Sequence, residues 1–448
     1  MALKSKELGQ VFTPDFIVKM MSENLDILNK KILEPGCGEG AFLKEIARKY
    51  IEESLKKKVS LNAIREQLEA NLIGIEIDAI LLKKCKENLD LIAGEFGLKN
   101  IKWNLINGDF LELYKDFLGK IDIVIGNPPY IRIHNLDKNA RKFLNGSMGD
   151  LFLIFFTLGF LCLKNGGELI FITPSSWLNS KAALALREGI YKRRDLVNLI
   201  DFAHEKIFKK ITTYSLISFF RKNQRQDFIA FYDFKNDRLR RVIKYDDLFL
   251  DKHKFEIYLG DKRFKEILNL KPLPVKNGFA TLCDEFFIGD FDGLNYPKIK
   301  ALKASNGKFY DCIFPYDENG NFISPKGAVL RRYKDFSAKL KKRDLRGANW
   351  QEFGRSQAIK DVKMRKIAFN TMIKELKDLR ICEVEAKSGV FSGLYLVSQM
   401  PLNVFEKALR NDEFLDFVKS LRKYKNGGYY SFNSADLGRF LANALKAI

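Results

Sequence analysis

The run Ile121 to Gly126 has the length and apolar character of a buried strand, and it ends in Asn127-Pro128-Pro129-Tyr130. Two prolines cannot extend a central strand, because neither has an N–H to give to the ladder. They lock φ at both positions and leave the peptide between them without a donor. The corner therefore presents two oxygens in a stiff frame, the side-chain carbonyl of Asn127 and the backbone carbonyl of Pro128. Tyr130 follows with a flat aromatic face. Acceptors fixed in advance are useful where a reacting group must be held and aimed.

Three earlier strand-like runs end in residues of comparable use. After residues 30–35 comes Glu34-Pro35-Gly36-Cys37-Gly38-Glu39-Gly40, whose alternate glycines allow a tight turn and a close approach of backbone to ligand. No G-K-[ST] follows, which excludes a P-loop. Residues 71–78 end in Glu76-Ile77-Asp78, where an acid can accept from both hydroxyls of a ribose. Residues 101–108 lead into Asp109-Phe110, an acceptor for an adenine amino group beside a ring to pack on it. Each tip alone is equally explained by turn or helix-cap chemistry, Asp78 as an N-cap and Asn107-Gly108 as a turn. Together the four fit one nucleoside and one reactive corner.

The elements that must carry these tips alternate. Strand-like runs at 30–35, 71–78, 101–108, 121–126 and 167–174 are separated by helical patterns at 41–55, 79–96 and 151–163. Such alternation implies an α/β domain with a parallel sheet covered on both faces, with ligands beyond the carboxyl ends of the strands. Runs at 198–203, 213–220 and 227–234 read as strands closing the same sheet. Beyond about residue 250 the alternation fades, so residues 1–250 are expected to form a catalytic domain and 251–448 a second domain. The greasy run 151–163 is too short to cross a bilayer and reads as a buried helix.

The chain has 448 residues, 46% of them hydrophobic, and a formal net charge of +21. Lys and Arg exceed Asp and Glu by 40 to 32 over residues 1–250 and by 37 to 24 over the rest. Within 326–366 there are 14 basic residues and 4 acidic ones, so about half of the excess lies in one stretch. Uniform lysine enrichment does not produce such clustering; a polyanionic partner would use it. Six scattered cysteines and three histidines offer no metal-ligand spacing and suit a reducing cytoplasm. The start of the chain has no apolar signal-peptide core, and no membrane association is expected.

Taken together these motifs resemble the gamma class of S-adenosylmethionine-dependent DNA adenine-N6 methyltransferases of restriction-modification systems. In that resemblance Gly9-Gln10-Val11-Phe12-Thr13-Pro14 is the N-terminal cofactor motif, and Glu34, Gly36 and Gly38 belong to the loop on the methionine side. Glu76 and Ile77 hold the ribose end, and Asp109-Phe110 the adenine. Asn127-Pro128-Pro129-Tyr130 is the catalytic motif, with Asn127 also against the cofactor. Phe155, after Asp150-Leu151-Phe152, lines the cofactor pocket, and Phe208 is a second aromatic for the target base. The implied fold is a Rossmann-like class I methyltransferase sheet with a C-terminal mixed α+β target-recognition domain. Gly278-Phe279-Ala280-Thr281, Phe286-Phe287-Ile288 and Trp350 through Gln357 resemble parts of that second domain. A charged helical insert, about 51–69, departs from the pattern without touching a catalytic position.

The resemblance implies methyl transfer to N6 of an adenine swung out of double-stranded DNA. The exocyclic amine is a poor nucleophile, and two acceptors on its two hydrogens free its lone pair. Extruding a base costs about a few kcal/mol, and stacking returns roughly 1–3 kcal/mol per base, so Tyr130 and Phe208 on opposite faces would offset the cost. Arg331, Arg332, Lys341, Lys342 and Arg343, in a stretch running on to Arg346, are assigned to phosphates, and Arg355 and Gln357 to bases. A monomer is expected, with a separately encoded cognate endonuclease as a further partner. Methyltransferases acting on protein glutamine or RNA adenine share the Asn-Pro-Pro-Tyr chemistry, but those acting on protein are much shorter and carry a small helical domain first. Glu385-Ala386-Lys387 matches half of a nuclease motif without a partner acid. A purely DNA-binding module would not need an intact set of cofactor tips.

Overall fold

The computed structural model describes residues 12–131, 149–208, 214–234, 239–250, 253–291, 293–345, 347 and 349–446. Gly9, Gln10, Val11 and Arg346, named above, lie outside them. The chain divides into two compact units, Met1–Tyr258 and Leu259–Ile448. The division falls after the expected 250/251. The segment up to Tyr258 is tied back to the first unit by main-chain bonds from Ile257 to the Leu178 carbonyl and from Tyr258 to the Leu248 carbonyl. Buried Arg187 adds bonds to the carbonyls of Lys254 and Phe255.

In the first unit, helix α1 (Asp15–Ser22) precedes β1 (Ile32–Pro35), α2 (Ala41–Lys56), α3 (Leu61–Asn71), β2 (Leu72–Glu76), α4 (Ala79–Glu95), β3 (Asn104–Asn107), α5 (Phe110–Leu113) and β4 (Ile121–Gly126). Then come α6 (Leu151–Cys162), β5 (Leu163–Pro174), α7 (Leu184–Arg193), β6 (Leu196–Asp201), β7 (Ser215–Arg221), β8 (Phe228–Asp233) and β9 (Leu239–Lys244). The charged insert is the end of α2 together with α3. Among the described residues the strands form one nine-stranded sheet in the order β3-β2-β1-β4-β5-β7-β6-β8-β9. The sheet is mixed where a parallel one was expected. β7 runs antiparallel to both β5 and β6, and β9 antiparallel to β8. β9 escaped the sequence reading because Leu239-Arg240-Arg241-Val242-Ile243-Lys244 carries more charge than a buried strand usually does.

The central strands are apolar because they are covered twice. β1 pairs in parallel with β2 through Ile32–Leu72 and with β4 through Ile32–Ile123, and all four of its residues are buried. On one face Ile17 and Met21 of α1, Phe42 and Ile46 of α2, and Cys85 and Leu89 of α4 share a core with Ile32, Ile123 and Ile170. α6 is apolar all round because nine of its residues are buried. Its Phe156 meets Phe171, Trp177 and Phe220 edge-on. No helix among the described residues is long and apolar enough to cross a membrane. After β1 the chain proceeds to β2 and β3 on one side, and after β4 to β5 on the other. This reversal opens a crevice between the carboxyl ends of β1 and β4, where open α/β sheets bind ligands.

The second unit is mixed α+β. Its four-stranded antiparallel sheet orders Lys276–Asn277, Leu394–Val397, Lys366–Phe369 and Ile381–Val384. A three-stranded sheet orders Lys308–Ile313, Lys298–Lys303 and Gly389–Phe391, and a second one orders Met372–Ile373, Tyr429–Ser431 and Tyr424–Lys425. Phe279, Phe286, Phe287, Tyr333 and Phe353 are buried in one core.

Candidate active site

The glycine loop bends because three of its residues adopt left-handed backbone angles: Gly36 at φ 72°, Gly38 at 54° and Gly40 at 78°. L side chains are strained there. Gly40 also has no room, since a Cβ would stand 2.4 Å from Cys85 Sγ. A Cβ on Gly36 would lie 3.7 Å from Phe155 and 3.8 Å from Pro129. The loop after β1 is therefore laid directly against the corner after β4 and the first turns of α6. Around Gly38 a Cβ would meet nothing within 4 Å. The loop is open to a ligand at that point.

Glu76 fastens the neighbouring tip. Its carboxylate accepts from the Gly38 N–H at 2.8 Å and the Asp78 N–H at 3.0 Å. Burial holds its pKa above the ordinary carboxylate value, against the opposing pull of these bonds. Two carboxylate oxygens have about four acceptor positions, so two N–H donors leave capacity for hydroxyls. Ile77, next along, is 52% exposed, an apolar face at the strand tip. Asp78 caps α4 by accepting from Ile80, and Asp109 caps α5 by accepting from Leu111. Asn107 has a fastening role that its sequence context, read as a turn, did not reveal. Its Nδ2 donates to the Glu76 and Ile77 carbonyls at 2.9 and 3.1 Å, tying the second and third tips together. Phe110 is buried and leans on Phe155, ring centroids 5.2 Å apart.

Glu34 lies beside Gly126, the residue before the Asn127 corner, where an added Cβ would stand 3.6 Å from its side chain. It is 3% exposed, and its carboxylate accepts from the Leu43 N–H in the first turn of α2 at 3.1 Å. Burial raises its pKa well above the ordinary value, with the nearby Cys85 thiol adding to the effect. It ties the end of β1 to the first turn of α2.

At the fourth tip Asn127 Nδ2 donates to Thr13 Oγ1 at 3.1 Å. That bond fixes the carboxamide plane and sets the side-chain carbonyl as its other pole. It also brings Thr13, far away in sequence, to the corner. The Ile131 carbonyl accepts from the Leu151 N–H at 2.8 Å, so α6 starts beside the exit from the corner. Tyr130 stands edge-on between Phe152 and Phe208, 6.3 Å from each, at interplanar angles of 78° and 77°. Tyr130 and Phe208 thus meet, but not as parallel plates. Phe208 is 4% exposed. It follows a sharp turn after β6, where Asp201 accepts from the Ala203 N–H and Ala203 adopts φ 52°. Among the described residues no group of three or more metal-ligating side chains converges, and all six cysteines are free.

In the second unit the resemblance-bearing segments do pair with one another. Ala280 and Arg355 form a two-way bridge, and the Phe279 ring stacks on Phe353 at 4.6 Å. The residues expected at DNA divide sharply. Arg343 donates to the carbonyls of Thr281, Trp350 and Glu352. Arg332 donates to the carbonyls of Glu285 and Phe286 and lies over three phenylalanine rings. Arg355 pairs with Asp344, and Gln357 donates to the Gly278 carbonyl at 3.0 Å. These four side chains brace the unit's own loops. Arg331, Lys341 and Lys342 are exposed, Lys341 reaching over the Trp350 ring at 5.2 Å.

Residues 41–208 match the family model of the Eco57I restriction-modification methylase. That span holds Glu76, Asp109, Asn127 to Tyr130, Phe155 and Phe208. The type II methyltransferase M.HincII of Haemophilus influenzae is 31% identical over 237 residues, covering 50% of this chain and 39% of that protein. RM.Eco57I of Escherichia coli, a type II restriction enzyme and methyltransferase, is 23% identical across 78% of this chain and 48% of its own length. M.BsuBI of Bacillus subtilis is 25% identical across 77% and 74%. The chain thus spans about two fifths to one half of the first two relatives. The solved structure of the type IIL restriction-modification enzyme MmeI in complex with DNA shares the fold, with a TM-score of 0.61 over 94% of this chain and 64% of its own, at 12% identity.

Proposed function

We propose that the chain, whose residues 41–208 match the Eco57I restriction-modification methylase family model, methylates DNA site-specifically at N6 of adenine, using S-adenosylmethionine, as the modification activity of a restriction-modification system. The carrying observation is the closeness of Gly36 to Pro129 and Phe155, where an added Cβ would come into van der Waals contact with both, which sets the glycine loop against the Asn-Pro-Pro-Tyr corner at the β1/β4 switch point.

The residues at this crevice fit S-adenosylmethionine. Gly36 and Gly38 bend backbone toward it, Gly38 leaves open space, Glu76 has acceptor capacity for ribose hydroxyls, and Ile77 offers an exposed apolar face. When bound, the cofactor supplies a methyl group on a sulfonium, already a strong electrophile. The work left to the chain is to aim a weak nucleophile. The Asn127 side-chain carbonyl, oriented by Thr13, and the Pro128 backbone carbonyl accept from the two amine hydrogens of the target adenine. The nitrogen lone pair is then released from the ring. Because both acceptors are set before the base arrives, little reorganisation is left for the reacting step. Tyr130 receives the extruded base on its ring, with Phe208 closing the wall edge-on. Arg331, Lys341 and Lys342 supply phosphate contacts in the second unit, in keeping with the basic stretch around them.

Incubation of the protein with labelled S-adenosylmethionine and unmethylated duplex phage DNA, followed by digestion to nucleosides, tests the reading. The expected product is N6-methyladenine at one recurring sequence. Label in cytosine, in RNA or in protein, with adenines in DNA unmarked, would overturn it.

A further inference from the structure

The far end of the Tyr130 ring reaches the main chain of β5. The tyrosine hydroxyl donates to the Ile172 carbonyl at 3.2 Å. On the neighbouring strand Ile217 pairs with Ile172, Leu216 with Thr173, and Ser215, which opens β7, with Pro174 at the end of β5. The connection is pinned by the Ser175 N–H, which donates to the Tyr214 carbonyl at 2.8 Å. Ser215 is 1% exposed and Thr173 is fully buried, and neither Oγ nor Oγ1 has a well-formed hydrogen bond. The Ser215 hydroxyl nevertheless stands near enough to the Tyr130 oxygen to oppose, as a donor, the rise in proton affinity that burial causes.

A buried hydroxyl without a partner is destabilising, and an alanine would fill the same strand position without that cost. A phenol oxygen can donate once and accept as well. Tyr130 already donates to Ile172, so the complement it lacks is a donor, and Ser215 is the donor at hand. Two bonds from different strands would fix the phenol oxygen in two directions and set the tilt of a ring whose rim is already held edge-on by Phe152 and Phe208.

We propose that Ser215 is a positioning residue for Tyr130, its hydroxyl donating to the tyrosine oxygen when the ring takes up the target base. The inference rests on the reading of Tyr130 as the stacking face for that base. It explains why a hydroxyl is retained among Ile172, Leu216 and Ile217, all buried and apolar.

The test is a double-mutant cycle with Ser215→Ala and Tyr130→Phe, measuring kcat and KM with unmethylated phage DNA and cofactor affinity separately. In the Tyr130 chain, Ser215→Ala is expected to lower kcat/KM for DNA by about 3- to 10-fold, with cofactor affinity unchanged. In the Tyr130→Phe chain the same change should have no further effect, because no hydroxyl remains to be held. Ser215→Thr, which keeps the donor, should restore most of the loss. Equal losses in both backgrounds, or no loss in the Tyr130 chain, would overturn the proposal. A wild-type protein that binds cofactor but leaves DNA adenines unmarked would instead remove the parent reading, and this inference with it.

Discussion

Two clusters of polar residues stand out in this chain, and the fold treats them in opposite ways. In the first unit the tips of four strands turn toward one another. Gly38 bonds Glu76, Asn107 bonds the carbonyls of Glu76 and Ile77, and Asn127 reaches Thr13. In the second unit the densest basic stretch turns partly inward, with Arg332 and Arg343 gripping main-chain carbonyls. The lesson concerns what kind of signal each cluster is. A strand tip is informative because topology forces every tip of a parallel sheet to the same edge. A run of charge is not, because a guanidinium with five donors serves equally well as a loop strut or as a phosphate ligand.

The contrast can be broken experimentally, beginning with its largest expected effect. Asn127→Ala should reduce methyl transfer by about 10²–10³-fold, the usual cost of removing one preorganised polar partner, while cofactor titration stays unchanged. Wild-type turnover in that variant would mean the corner is only a turn. Next, Arg343→Ala should destabilise the second unit by about 2–3 kcal/mol, read as a fall in its unfolding midpoint, because three carbonyls lose a charged donor. An unchanged midpoint together with weakened DNA binding would return Arg343 to the DNA-contacting set.

A smaller effect tests the first unit by pH. Burial raises the Glu76 pKa, so as pH falls toward that value the carboxylate gains a proton and loses acceptor strength. Affinity for S-adenosylmethionine should therefore decline on mild acidification, at higher pH than an ordinary carboxylate would dictate, and Glu76→Gln should flatten the profile. The stability sign is opposite. A raised folded-state pKa means the folded protein holds this proton more tightly than the unfolded chain, so the Glu76 contribution becomes more favourable as pH falls through that pKa. Calorimetric titration beside thermal unfolding separates the two. The smallest effects belong to Lys341→Ala and Lys342→Ala. Each should lower the salt slope of DNA binding by about 1 and move stability by no more than about 0.5 kcal/mol. A salt slope unmoved by either would detach the exposed lysines from DNA.

Much of the first unit was legible residue by residue. β1, β2 and β4 announce themselves as short apolar runs because they are buried on both faces. The glycine loop, Glu76 and the Asn-Pro-Pro-Tyr corner follow them at once in sequence, so their placement needs no long-range information. β9 was missed because an edge strand with Arg240 and Arg241 lacks that apolar signature. The antiparallel insertion of β7 was missed because strand direction depends on which neighbour a strand finds. The bond from the Leu43 N–H to Glu34 was not foreseen, since side-chain direction at a strand end depends on the pleat and on the packing of α2.

The amino-acid order alone therefore determined the alternation of elements, the backbone angles of the glycine loop and the stiffness of the proline corner, because each depends on neighbours within a few residues. Only the tertiary structure decided that Thr13 orients Asn127, that Tyr130 and Phe208 meet edge-on, and which arginines stay outside. Those outcomes depend on contacts between segments far apart in the chain, whose directions are set when the sheet and its helices pack, and no local pattern of residue types encodes them.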